Sequence, residues 1–295
     1  MSDFVLSCCS TADLSIEFLK EKDIKYCCFH YWLNDEEHSD DMWQSMSPDE
    51  FYSAMSNGAD TKTSQINADE FEEYFEQFLS EGKDILHLTL SSGISGVCNS
   101  ALIAKNNLLE KYPDRKIYII DSLGASSGYG LIMATLADMR DAGSTIDELA
   151  DFAEEHKLNM HHWFFSMDLT FYVKGGRVTK TAGFVGNMLN ICPLLNMDNY
   201  GRLIPRFKIR TKKKVIATTV EQMVEHADDG VNYNKACFIS HSGCPDDAEA
   251  TRKSVEEKFP NLKGKVKIFP IGTTIGSHTG PGTVALFFWG DKRVD

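Results

Sequence analysis

Apolar stretches of strand length alternate along the chain with amphipathic stretches of helix length. The runs DFVLSCC (3–9), KYCCFHYW (25–32), ILHLTL (85–90) and KIYIID (116–121) each lead into a helical pattern or a polar loop. That alternation predicts a parallel sheet built from βαβ units. A helix is expected through YGLIMATLADMRDAG (129–143), stopped by Gly143, with Ser144 and Thr145 offering an N-cap to a second helix, IDELADFAEEH (146–156). From HHWFFSMDL (161–169) the pattern changes. A glycine turn, KGGRV (174–178), precedes a helical stretch, TAGFVGNMLNI (181–191), and then two strands, PLLNMD and RLIPRFKIR, joined hairpin-like by NYG. The resulting fold class is α/β with two α/β domains, 1–157 and 158–295, the first a parallel sheet with flanking helices.

Composition narrows the function more than the fold. With 43 acidic against 30 basic residues the net charge is -13, which argues against nucleic acid as the main partner, since such binding draws its affinity from clustered Lys and Arg. No apolar stretch is long enough for an integral membrane segment, and the N-terminus lacks the basic region of a secretory signal, so the chain reads as cytoplasmic. The eight cysteines show no CxxC spacing, and most read as small buried thiols. The acidic run NDEEHSDD (34–41) places His38 among carboxylates and reads as a solvated loop rather than a metal site; no metal or cofactor is expected.

Four segments hold small polar residues: STADL (10–14), TKTSQ (61–65), SSGISG (91–96) and DSLGASSGYG (121–130). Three of them follow directly on apolar strands. In an open parallel sheet, ligands bind at the carboxyl ends of the strands, so these junctions point to one cleft. SSGISG is suited to an anion, because amides at a helix N-terminus attract negative charge and glycine permits close approach. Neither GxxxxGK[ST] nor GxGxxG is present, which excludes the common nucleotide loops. Ser95 with a distant His278 suggests a serine nucleophile and its base, but a nucleophile elbow needs GxSxG and this loop reads Gly93-Ile94-Ser95-Gly96.

STADL, TSQ, SSGISG with NSA close behind, DSLGASSGYGL, KGGRV, NICPLL, KIRTKKK and HTGPG, in that order over nearly the whole chain, resemble the DegV family. The resemblance implies two α/β domains with a long-chain fatty acid, such as palmitate, stearate or oleate, held between them. It also implies a non-catalytic, acyl-presenting role beside a separate fatty acid kinase that forms the acyl phosphate. It assigns carboxylate binding to Thr63, Ser64, Ser92, Ser95, Gly96, His278 and Thr279, and contacts to the kinase subunit or to phosphate to Arg177 and Arg210. In the second domain, Phe164, Phe165, Phe171, Phe184, Met188, Leu189, Ile191 and Leu194 are the candidates for the wall of an acyl tunnel. Where the family pattern leads one to expect a proline-bearing strand, the chain has CCFHYWLNDEEHSDDMW (27–43), with no proline before Pro48. Two rival readings stay open: a serine hydrolase or thioesterase using Ser95 and His278, and a lipid-responsive regulatory protein.

Overall fold

The computed structural model describes residues 4–179 and 191–294. The expected helix over 181–191 and the candidates Phe184, Met188 and Leu189 fall outside the described residues, except for Ile191. Thirteen strands are described: β1 (Phe4–Cys9), β2 (Ile24–Cys27), β3 (His30–Leu33), β4 (Glu36–Ser39), β5 (Thr61–Ser64), β6 (Asp84–Thr89), β7 (Ile117–Asp121), β8 (Met160–Ser166), β9 (Ile191–Met197), β10 (Leu203–Arg210), β11 (Phe238–His241), β12 (Lys267–Pro270) and β13 (Thr283–Trp289). The helices are α1 (Ile16–Glu21), α2 (Pro48–Ser56), α3 (Ala68–Leu79), α4 (Val97–Lys111), α5 (Ser127–Asp141), α6 (Ile146–His156), α7 (Thr170–Lys174), α8 (Lys212–His226), α9 (Pro245–Lys258) and α10 (Thr273–Thr279).

All four early apolar runs contribute a strand to one parallel sheet in the order β2-β1-β6-β7, as the strand–helix alternation demands. A second sheet, β10-β9-β8-β13-β11-β12, takes every described strand after residue 157, and within it β9 and β10 form the expected antiparallel hairpin. Helix α5 packs against strands of both sheets. Its stop and the start of α6 follow the local chemistry. Gly143 takes the left-handed conformation at φ +99°. The Thr145 hydroxyl then accepts from the Glu148 amide while the Glu148 carboxylate accepts from the Thr145 amide, a capping box that satisfies two otherwise orphaned donors.

Two expectations are corrected. KYCCFHYW is not one strand: β2 ends at Cys27, and β3 begins at His30 in a separate small sheet, β4-β3-β5. The break is held by the Ser10 hydroxyl, which accepts from the Phe29 amide and donates to Asp40. NDEEHSDD is largely exposed, as expected, but it is not a loop. Its centre is β4, paired with β3, with Tyr31 stacked on His38, and Asp40 is buried where the hydroxyls of Ser10 and Thr273 donate to its carboxylate. Partners distant in sequence override a run of charge here.

In the second sheet, His161 of β8 is buried between the rings of His226 and Phe288. Burial, with the neighbouring His226 adding to it, lowers its pKa to about 4. Between about 6.5 and 4 the unfolded chain binds a proton that the folded chain refuses. The stability that the neutral ring contributes is therefore complete above pH 6.5 and lost as pH falls toward 4. Urea unfolding of wild type and His161→Gln over this window should bring the two closer by roughly 3 kcal/mol on acidification. Parallel stability curves would contradict the assignment.

Candidate functional site

A cavity of about 630 Å³ opens where the loops after β6 and β7 meet β5, α10 and one face of the second sheet. The strand period decides which residues reach it. His162 and Phe164 on β8 lie in register with Phe287 and Ala285 on β13, and all four line the cavity. Trp163 stacks on His226 of α8, so Phe165 on that same face points away from the cavity into the packing under α8. Leu194, the register partner of Phe165, is buried off the cavity as well, while Met197 and Leu203 supply that part of the wall. Phe171 belongs to α7, beside the aromatic group of Tyr31, Phe51 and Tyr52, and Ile191 sits half-buried where β9 begins. Of the tunnel candidates among the described residues, Phe164 alone lines the cavity. The sequence pattern missed Ile275, Ala285 and Phe287. The signal for the last two lay in the alternation of TVALFFW, which puts residues 283, 285 and 287 on one face.

The polar part of the wall comes from three segments of the chain. Thr63, Ser64 and Gln65 come from the end of β5 and the residue after it, Ser95 and Gly96 from the loop that opens α4, and His278 and Thr279 from α10. Arg177, expected to contact the kinase subunit or phosphate, lines the cavity beside them. Gly175 fixes the histidine, because a Cβ there would lie 2.4 Å from His278 Nδ1. The loop is fixed in turn by Ser91, whose hydroxyl donates to the Gly201 carbonyl of the NYG turn at 2.8 Å. Ser92 and Arg210 are not brought in. Ser92 is exposed, its amide donating to Asp121, and Arg210 is exposed at the end of β10, next to the basic run where Lys212 pairs with Asp247. STADL also stays off the cavity: Thr11 bonds Tyr129, and Asp13 accepts from Ser126.

Hydrogen-bond chemistry orders this group. Arg177 Nη1 lies 3.4 Å from His278 Nδ1, and a guanidinium can only donate, so Nδ1 accepts. Burial first, and then the charge of Arg177, lower the His278 pKa to about 4, so the ring is neutral at pH 7 and carries its proton on Nε2. Nε2 therefore donates to the Thr63 hydroxyl, 2.7 Å away, and leaves the hydrogen of Thr63 free for a further acceptor. Arg177 also donates to the carbonyls of Ile94 and Gly175, and among the described residues it has no carboxylate partner. The Thr279 hydroxyl is buried and, among the described residues, has no hydrogen-bond partner. Ser95 donates to Gln65 at 3.3 Å and accepts from the amide of Val97. The imidazole that a serine nucleophile would need is engaged by Thr63.

Comparison with known proteins matches residues 9–291 to a family described as uncharacterised proteins of the DegV family. A DegV domain-containing protein of Clostridium perfringens is 37% identical over 294 residues, covering 99% of each chain. The crystal structure of a DegV lipid-binding protein of Thermotoga maritima has a TM-score of 0.83 at 27% identity, covering 99% of this chain and 100% of that one. The fatty acid kinase B3 protein of Streptococcus pneumoniae, solved loaded with linoleic acid, has a TM-score of 0.82 at 23% identity, with coverage of 99% and 100%. Among the described residues, no helix is long and apolar enough to cross a membrane.

Proposed function

From the premise that this chain belongs to the DegV family, we propose that its cavity holds one long-chain fatty acid and presents the carboxylate to a separate, ATP-using kinase. The observation that carries the reading is the polar wall of an otherwise mainly apolar cavity: a free hydroxyl hydrogen on Thr63 and, among the described residues, a hydroxyl on Thr279 without a partner and a guanidinium on Arg177 without an acid. A carboxylate leaving water needs several donors at once, and these residues supply them without a buried lysine. Gly96, N-cap of the 15-residue α4, adds the positive end of a helix. The tail supplies most of the affinity, since about 14 methylenes at roughly 0.8 kcal/mol each give on the order of 11 kcal/mol before entropic costs. In this reading the chain contributes no catalytic residue.

Calorimetric titration of delipidated protein tests the carboxylate directly. Palmitate should bind at least about tenfold more tightly than its methyl ester, because a charge-assisted hydrogen bond contributes about 1.5–3 kcal/mol. Equal affinities would remove the polar wall from the account. The hydrolase reading is disfavoured by the engagement of His278 with Thr63. A fluorophosphonate probe should leave Ser95 unlabelled, and labelling abolished by Ser95→Ala would overturn the carrier reading.

A further inference from the structure

The parallel register of the first sheet places two thiols and an imidazole together in the core, away from the cavity. Cys9 closes β1 and Cys27 closes β2, as direct register partners, and His87 lies on β6 on the other side of β1. Their ligating atoms all fall within 4.8 Å of one another, and all three residues are buried. We propose that Cys9, Cys27 and His87 bind a thiophilic divalent cation, zinc, in the core of the first domain.

Three features beyond proximity carry this. His87 is aimed: its Nδ1 lies 2.9 Å from the Ser7 hydroxyl, which is itself 2.8 Å from the Tyr74 hydroxyl, so the second ring nitrogen turns toward Cys9. Such a partner on the remote nitrogen is the usual way a metal-bound imidazole is oriented. The rings of Phe71 and Phe75 stand edge-on to the imidazole and hold it in place. The spacing suits the ion as well. Zinc about 2.3 Å from sulfur and about 2.0 Å from nitrogen at a tetrahedral angle sets the two ligand atoms about 3.5 Å apart. His87 Nε2 and Cys9 Sγ are 3.5 Å apart.

Charge selects the class of ion. Two thiolates neutralise a divalent cation, so a metal held by two cysteines and a neutral imidazole adds no net charge to the core, whereas a monovalent ion would leave a buried negative charge uncompensated. Three protein ligands are the complement of zinc sites whose fourth position is held by water. Binding displaces the two thiol protons to solvent, and because the site is buried the ion is taken up as the chain folds. The ion's role is to tie β1, β2 and β6 together beneath the loops they feed.

The test is elemental analysis of protein purified from cells grown with added zinc, beside Cys27→Ser, His87→Ala and, as a control for the second cluster of ligating side chains, His161, His226 and Asp291, His161→Ala. About one zinc per chain in wild type and in His161→Ala, falling at least tenfold in Cys27→Ser and His87→Ala, is expected. Protein from cobalt-grown cells should add a thiolate-to-cobalt charge-transfer absorption, a readout on wild type that does not depend on the folding of any variant. Metal-free wild type, a cobalt form lacking that absorption, or zinc lost only in His161→Ala would each overturn the proposal.

Discussion

Ala285→Trp is expected to empty the protein of lipid. Ala285 sits on β13 in register with Phe164, on the cavity face, and its small side chain is what keeps the space between the second sheet and the loops of the first open. An indole there fills volume that an acyl chain needs. If half of about 14 methylenes are excluded, the loss is on the order of 5 kcal/mol, or more than about a thousandfold in affinity. Lipid extracted from purified protein and counted by mass spectrometry gives the result, with Ala285→Ser as the variant that should stay loaded. A folded Ala285→Trp protein carrying a full complement of fatty acid would put the acyl chain elsewhere.

The second large effect separates holding the lipid from presenting it. His278→Ala should lower kinase-dependent acyl phosphate formation by on the order of a hundredfold, because phosphoryl transfer demands an in-line carboxylate oxygen and a displacement of about 1 Å costs about that much. Lipid retention should change far less, since one hydrogen bond to a charged group contributes about 1.5–3 kcal/mol against on the order of 11 kcal/mol from the tail. The hydrogen-bond order gives a reason for the histidine in particular: it fixes which way the Thr63 hydrogen points. Thr63→Ala should share the defect, and Arg177→Ala should weaken both retention and turnover, because it removes the cation. If His278→Ala lost its lipid yet turned over normally when lipid was resupplied, the histidine would be an anchor and not a positioning residue.

The sequence made legible what local rules govern. Parallel strands, the hairpin around NYG and the cap at Thr145 follow from period, turn chemistry and capping, all of which act within a few residues. The convergence of SSGISG and DSLGASSGYG on one cavity followed from strand polarity in a parallel sheet. What it hid depends on contacts far apart in the chain. Nothing local breaks KYCCFHYW after Cys27; the break is held by Ser10 and Asp40. Nothing local says whether Phe164 or Phe165 faces the cavity, because a one-residue change of phase exchanges the faces of a strand that is buried on both. Arg177 was legible as a cation for the kinase subunit or phosphate because its charge is visible in sequence, whereas the fold of KGGRV against α10, which turns it toward His278, is not.

Native mass spectrometry of the protein as purified from cells tests the central claim most directly. The account predicts one adduct per chain with the mass of a long-chain fatty acid, lost on delipidation and restored by palmitate or oleate. A chain that emerges at its bare mass and takes up neither acid would contradict it.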